Sequence, residues 1–139
     1  LVGSEMCIRD RLRAMGYYTP FVAPKGRDGG VDVIAYIDAL GAKTPRIKVQ
    51  VKHMPETSIP AKDIRSLLGI LRDGDIALFV TSGTYSPQAR TEALTSKTYI
   101  KLIDGEEFIE MWQEYYSKMN DEDKNMMPLK HIAFVGSNE

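Results

Sequence analysis

The sequence is poor in the residues that form covalent cross-links and soft-metal sites. Its 139 residues include one cysteine, Cys7, and two histidines, His53 and His131. A single cysteine cannot form an internal disulfide, and this small set of Cys and His excludes a structural zinc cluster within the chain. A metal site here would have to use oxygen ligands and hold a hard cation.

The chain also lacks long apolar runs and a dominant charge. Asp, Lys, Gly or Pro interrupts every hydrophobic stretch before the roughly 20 residues needed to span a bilayer, which predicts a cytoplasmic protein with no membrane partner. The net charge of −1 excludes a basic nucleic-acid coat or an acidic tail protein. With 43% hydrophobic and 27% charged residues, the composition is typical of one globular domain with a sizeable core.

The near-zero net charge hides an uneven distribution. Residues 11–101 contain 14 Lys and Arg against 8 Asp and Glu, whereas residues 102–139 contain 3 against 9. A basic body of this kind is compatible with a phosphate-bearing partner, although a solvated mixed surface is the more frequent cause of such a split.

Three segments are expected along the chain. Residues 1–11, LVGSEMCIRDR, resemble a translated sequencing adapter, so we interpret them as non-native. Residues 12–118 carry the patterned elements and form the expected domain, and residues 119–139 form a tail or the start of a missing region.

Hydrophobic periodicity predicts an α/β fold. A helix end stopped by Gly16 and a short strand are followed by two strands that form a hairpin around Gly41. Strands and helices then alternate, which predicts a mixed β-sheet flanked by helices. The predicted elements after the first strand are strands 31–37 and 46–52, helix 60–71, strand 76–81, a helix capped by Ser86, strand 99–104 and a helix from residue 105.

Polar residues on the predicted hairpin form one candidate site. Counted back from the loop, Asp32 lies opposite Gln50, and the strand's alternation places Lys52 on the same face as Gln50. Asp32, the Gln50 side chain and the Val51 carbonyl are suitable oxygen ligands for Mg²⁺, and Lys52 could orient water and stabilise charge on a phosphate. These groups together would suit phosphodiester hydrolysis.

Structural interpretations compete with this one. Alternating polar residues on a strand are more often a solvent face, and Asp28 before two glycines suits a turn. Ser86 suits a helix cap, while Thr81 and Tyr85 suit either core-edge hydroxyls or phosphate contacts. His53 has no partner that would suggest catalysis, so we interpret it as a surface residue.

Several motifs, taken in order, resemble a known family. They are GY at 16–17, DGGVDVIAY at 28–36, VQVKH at 49–53, IRSLLGIL at 64–71, FVTSGTYSPQAR at 79–90 and KLIDGEEF at 101–108. Together they resemble the Mrr-type restriction endonuclease domain of the PD-(D/E)XK nuclease superfamily, over residues 12–118. The resemblance implies an αβββαβ core.

The resemblance also implies a site and an activity. It places the family's metal-binding aspartate on Asp32, a glutamine variant of its second ligand on Gln50 and its catalytic lysine on Lys52. It implies a Mg²⁺-dependent DNA endonuclease, with Mn²⁺ as a substitute, that restricts foreign or modified DNA. An acidic residue in the first helix is common in the superfamily; Glu5 has the offset but lies in the segment interpreted as non-native.

The partners implied are DNA, a second copy in a homodimer, and a DNA-recognition domain missing from this chain. Because Gln50 replaces a charged ligand, we expect weak metal binding without DNA. Two alternatives stay open: a binding module of the same fold without activity, and a repair or junction nuclease. The predicted DNA contacts are the basic residues Lys48, Lys62 and Arg65 and the hydroxyl residues Thr81, Tyr85 and Ser86.

Overall fold

The computed structural model describes residues 2–22, 31–116 and 121. Its elements, in chain order, are α1 (Val2–Ala14), β1 (Tyr18–Val22), β2 (Val33–Tyr36), β3 (Arg46–Lys52), β4 (Ser58–Ile59), α2 (Ala61–Gly69), β5 (Asp75–Thr81), β6 (Thr84–Tyr85), α3 (Pro87–Thr95), β7 (Ile100–Ile103) and α4 (Gly105–Tyr116).

Five strands form one mixed sheet in the order β1-β2-β3-β5-β7. β1, β2 and β3 pair antiparallel, as a meander allows, whereas β5 and β7 join parallel to β3 after helical crossovers. This arrangement confirms the predicted α/β fold with a mixed sheet and flanking helices.

The β2–β3 hairpin has the predicted register. Val33 pairs with Val49 and Ile34 pairs with Lys48, and Gly41 in the connecting loop has a φ of 67°. Extending this register by one residue places Asp32 across from Gln50. The hairpin therefore brings together the two residues that the sequence predicted to be neighbours.

A separate apolar core lies on each face of the sheet. α1 and α4 cover one face, and α2 and α3 cover the other. Alternation along β3 directs Ile47, Val49 and Val51 into the first core, so Lys48, Gln50 and Lys52 project to the side of α2 and α3.

Helix α1 extends further toward the N-terminus than the pattern predicted. It ends at Ala14 and is followed by Gly16, whose φ is 97°; the Tyr17 N–H donates to the Leu12 carbonyl at 3.0 Å, which is a Schellman ending. Its residues Cys7 and Ile8 are each 1% exposed in the first core. The structure thus packs part of the 1–11 segment into the domain, while the adapter origin of that segment stays a prediction.

The short parallel pair β4 and β6 was not predicted. Two-residue strands carry no periodic signal, and this pair forms only because the chain segments before α2 and α3 meet. The Ser86 N–H donates to the Ile59 carbonyl at 3.0 Å and ties the two helix starts together. Within the described ranges, no helix is long and apolar enough to cross a membrane.

Candidate active site

Asp32 immediately precedes β2, and its carboxylate accepts a hydrogen bond from a backbone N–H of β3. The Val51 N–H donates to Asp32 Oδ2 at 2.6 Å, and the Asp32 N–H donates to the Val49 carbonyl at 2.7 Å. The side chain is thereby fixed against β3. Its second oxygen, Oδ1, makes no hydrogen bond within the described residues and is available to a ligand.

Glu5 of α1 is a second carboxylate that interacts with Asp32. Burial raises the pKa of Glu5 above its ordinary value, and the negative charge of Asp32 raises it further. Burial likewise raises the pKa of Asp32, which the hydrogen bond from Val51 partly opposes. Two partly buried carboxylates with raised pKa values favour the binding of a cation.

The available ligands are all hard oxygens. Gln50 is partly buried, and its amide has no hydrogen-bonding partner among the described side chains. The described residues include no cluster of three or more His, Cys, Asp or Glu arranged around a common metal position. Asp32 and the Gln50 amide offer the hard oxygen ligands that a divalent cation prefers, and Glu5 adds negative charge near Asp32.

Lys52 lies at the end of β3 and is held by a residue that the sequence did not single out. Its Nζ is 3.0 Å from Asp63 Oδ2, in the first turn of α2, and its side chain is 35% exposed. The ammonium is thus accessible at the same edge of the sheet as Asp32. An acidic residue three positions after Pro60 was the available signal for Asp63.

Lys48 has a different environment from the one predicted. Its Nζ is 2.8 Å from Oδ2 of Asp75, a carboxylate with a fully buried side chain, and the Lys48 side chain is only 16% exposed. Arg46 lies 3.8 Å from the other Asp75 oxygen. Asp75 thus compensates the charge of Lys48 inside the domain, and a DNA contact by Lys48 stays a prediction.

Lys62 and Arg65 lie on α2 and are both exposed. Arg65 forms an ion pair of 3.1 Å with Glu92 of α3, whereas no ion pair involving Lys62 is present in the described part of the chain. DNA contact by these two residues stays a prediction, and Lys62 has the less compensated charge.

The hydroxyl groups of Thr81 and Tyr85, both predicted to contact DNA, form hydrogen bonds within the domain. Thr81 is fully buried, and its Oγ1 accepts the Gly83 N–H at 3.1 Å. The Tyr85 hydroxyl lies 2.8 Å from the Phe79 carbonyl and 3.0 Å from the Ile103 carbonyl, and burial raises the Tyr85 pKa above its ordinary value. The Thr81 contact closes a local turn, whereas the Tyr85 hydroxyl links β5 to β7. A DNA contact by either residue stays a prediction.

Ser86 has the structural role that the sequence offered as an alternative. Its Oγ accepts the Ala89 N–H at 3.1 Å and caps α3, with Pro87 at the first helical position. A DNA contact by Ser86 stays a prediction. His53 is exposed, as expected for a surface residue, and Asp28 lies outside the described residues.

Comparison with known proteins identifies a family that matches most of this chain. A family model, Mrr_cat, described as restriction endonuclease, matches residues 4–112. No curated protein matches the chain.

Two solved structures share the fold. MspJI restriction endonuclease in complex with a 27-mer oligonucleotide aligns with a TM-score of 0.66 and 25% identity over 91% of this chain and 31% of that one. The DNA modification-dependent restriction endonuclease AspBHI aligns with a TM-score of 0.64 and 15% identity over 96% of this chain and 35% of that one. The chain therefore spans about a third of the length of each of these enzymes.

Proposed function

The chain belongs to the Mrr_cat family of restriction endonuclease domains, and we propose that it is a metal-dependent DNA endonuclease whose centre is formed by Asp32, Gln50 and Lys52. The observation that carries this proposal is the β2–β3 register, which sets Asp32 across from Gln50 with Lys52 two residues along the same face.

The cation would be Mg²⁺, for which Mn²⁺ could substitute. Asp32, Gln50 and the Val51 carbonyl are the proposed ligands, and the negative charge of Glu5 near Asp32 would add to the attraction for the cation. When bound, a divalent cation supplies positive charge that polarises phosphate oxygens and makes water more acidic.

The protein groups have separate tasks in hydrolysis. The Val51 N–H fixes Asp32 in place, so the carboxylate needs no reorganisation when its ligand arrives. Lys52 presents its ammonium to the phosphate, where it stabilises the negative charge that grows as a water oxygen attacks phosphorus and one P–O ester bond breaks. The attacking water releases a proton to solvent, and the departing oxygen takes up a proton from solvent.

Weak metal binding by the free protein is part of the proposal. Gln50 is neutral, so the scissile phosphate must supply some of the negative charge around the cation. Calorimetric titration should therefore detect tighter Mn²⁺ binding when an uncleavable phosphorothioate duplex is present. Equal affinity with and without DNA would contradict this assignment of ligands.

The biological role proposed is restriction of foreign or modified DNA. AspBHI, which shares the fold, is described as DNA modification-dependent. A further DNA-recognition domain would select the target. Two copies of the nuclease domain would then cleave the two DNA strands.

A plasmid assay tests the activity. Supercoiled DNA with and without methylation is incubated with the protein in Mg²⁺, Mn²⁺ or EDTA, beside Asp32→Ala and Lys52→Ala. We expect cation-dependent nicking by the wild type alone. Equal nicking by all three proteins would show that the site lies elsewhere, and binding without cleavage by all three would favour the binding-module alternative.

A further inference from the structure

The ion pair between Lys52 and Asp63 connects the candidate site to the neighbouring helix layer. The two charged atoms are 3.0 Å apart, and the side chains are 35% and 18% exposed. In the described part of the chain, no other hydrogen bond or ion pair involves either side chain. Each group is thus the principal polar partner of the other.

The position of Asp63 in α2 shows that its carboxylate does not cap the helix. Helix α2 has Pro60 at its N-cap, so Asp63 is the third helical residue. In a capping box, the side chain at that position accepts a hydrogen bond from the N-cap N–H, but proline has no N–H. With capping excluded, the contact to Lys52 is the specific interaction that Asp63 makes.

Asp63 is also a rigid anchor. The next residue, Ile64, is fully buried, and Leu67, one turn further, is 1% exposed in the core between the sheet and α2. Lys52, by contrast, carries its ammonium on a flexible four-carbon stem. A fixed carboxylate reduces the conformational freedom that this stem would otherwise lose when it engages a phosphate.

We propose that Asp63 is a positioning residue for Lys52, holding the ammonium at the edge of the sheet where Asp32 lies, an inference that rests on the proposed role of Lys52. Asp63 touches neither substrate nor cation in this account, and it acts only by restricting the lysine.

A matched pair elsewhere in the domain provides the control. Glu107 is the third residue of α4, and its carboxylate lies 2.9 Å from Nζ of Lys101 on β7. The Asp104 carboxylate accepts the Glu107 N–H and caps this helix. Glu107→Gln therefore removes the same kind of strand-to-helix ion pair as Asp63→Asn, at a position unrelated to Lys52.

The first measurement asks whether the pair exists in solution. Lysines are reductively methylated with ¹³C, and the Lys52 signal is assigned by its loss in Lys52→Arg. We expect Asp63→Asn to move the Lys52 signal and Glu107→Gln to leave it unchanged. A Lys52 signal that ignores Asp63→Asn would overturn the proposal without reference to activity.

The second measurement asks what the pair does. In single-turnover plasmid cleavage, we expect Asp63→Asn to lower the rate about 10- to 100-fold, because misplacement of a reacting group by about 1 Å has an effect of this size. DNA affinity measured in Ca²⁺ should be unchanged, Asp63→Glu should restore most of the rate, and Glu107→Gln should cleave like the wild type.

Two outcomes separate this inference from the proposed function. If Lys52→Met cleaves at the wild-type rate, the catalytic role of Lys52 fails, and the positioning role fails with it. If Lys52→Met is impaired while Asp63→Asn cleaves at or above the wild-type rate, only the positioning role is overturned. A folding defect in Asp63→Asn would appear as a lower melting temperature than that of Glu107→Gln.

Discussion

The two ends of β3 carry the same residue type on the same face but use it differently. At the N-terminal end, Lys48 is 16% exposed and neutralises the buried carboxylate of Asp75. At the C-terminal end, Lys52 is 35% exposed and lies beside an edge of the sheet that also carries Asp32. Strand alternation determines the face of the sheet on which a lysine lies. The burial of its acidic partner determines whether the lysine is enclosed in an ion pair or stays accessible to a ligand.

The largest effect is expected at the C-terminal, open end of β3, where Lys52 lies beside the edge of the sheet that carries Asp32. Asp32→Asn should reduce cleavage by about 10³-fold, since it removes a charged ligand of the cation. The raised pKa of Asp32 means that ionisation opposes folding, so its contribution to stability is present below the ordinary value of 3.8 and is lost as the pH rises through the folded pKa.

Asp32→Asn should therefore be at least as stable as the wild type at pH 7, because the amide oxygen can still accept the Val51 N–H. Rates and urea unfolding of the two proteins check this separation of activity from stability. A variant that loses both would indicate that Asp32 serves the fold.

At the N-terminal, closed end of β3, where Lys48 pairs with the buried Asp75, we expect a loss of stability. Asp75→Asn should lower the free energy of unfolding at pH 7 by roughly 2 to 4 kcal/mol, because it leaves partly buried cations without their partner. Burial alone would raise the pKa of Asp75, but the hydrogen bonds from Lys48 and the Arg72 N–H outweigh burial and hold that pKa below its ordinary value.

This lowered pKa gives a pH test of the closed end. The contribution of Asp75 to stability is present above 3.8 and is lost as the pH falls through the folded pKa. The difference between wild type and Asp75→Asn should shrink in acid, as measured by urea unfolding at pH 7 and at pH 3. A difference that does not change with pH would contradict the assigned ion pair.

A smaller loss of stability is expected after β5, where Gly83 packs closely against the backbone of the segment between β3 and β4. A Cβ atom on Gly83 would overlap the backbone carbonyl oxygens of Met54 and Thr57, which cannot move away as a side chain can. Gly83→Ala should lower the free energy of unfolding by about 1 to 3 kcal/mol, as over-packing does elsewhere. Thermal unfolding checks this, with Gly69→Ala as the control because the space around Gly69 is open.

The smallest effect is expected for an exposed charge near the open end. Lys62→Ala should weaken DNA binding modestly and reduce the slope of log K against log salt by about 1, if Lys62 contacts one phosphate. Binding measured between 50 and 200 mM salt checks this. An unchanged slope would remove Lys62 from the DNA interface.

Much of the fold was predictable because it depends on patterns that repeat. Alternation in β2 and β3, helical spacing in α2 and the cap at Ser86 identify elements directly, and the symmetric loop around Gly41 was enough to pair Asp32 with Gln50. Hydrogen-bond periodicity and turn geometry are local properties of the chain.

Side-chain environments were not predictable in the same way. The sequence offered Lys48 and Tyr85 as DNA contacts, but it did not indicate that Lys48 pairs with the buried Asp75 or that the Tyr85 hydroxyl donates to the Phe79 carbonyl. Asp63 lies next to Lys52 because α2 packs on the sheet. No local sequence pattern indicates this contact. The family resemblance implied the site residues, which stay a prediction, and the three-dimensional packing shows which groups surround them.

The two lysines of β3 provide the most direct test. Lys48→Met and Lys52→Met are compared for single-turnover plasmid cleavage and for unfolding in urea. We predict that Lys52→Met loses about 10² to 10³ in rate, the scale of a charge-stabilising group, with little change in stability. Lys48→Met should lose about 2 to 3 kcal/mol of stability and keep its rate while folded. Wild-type cleavage by Lys52→Met, or a stable but inactive Lys48→Met, would contradict this account.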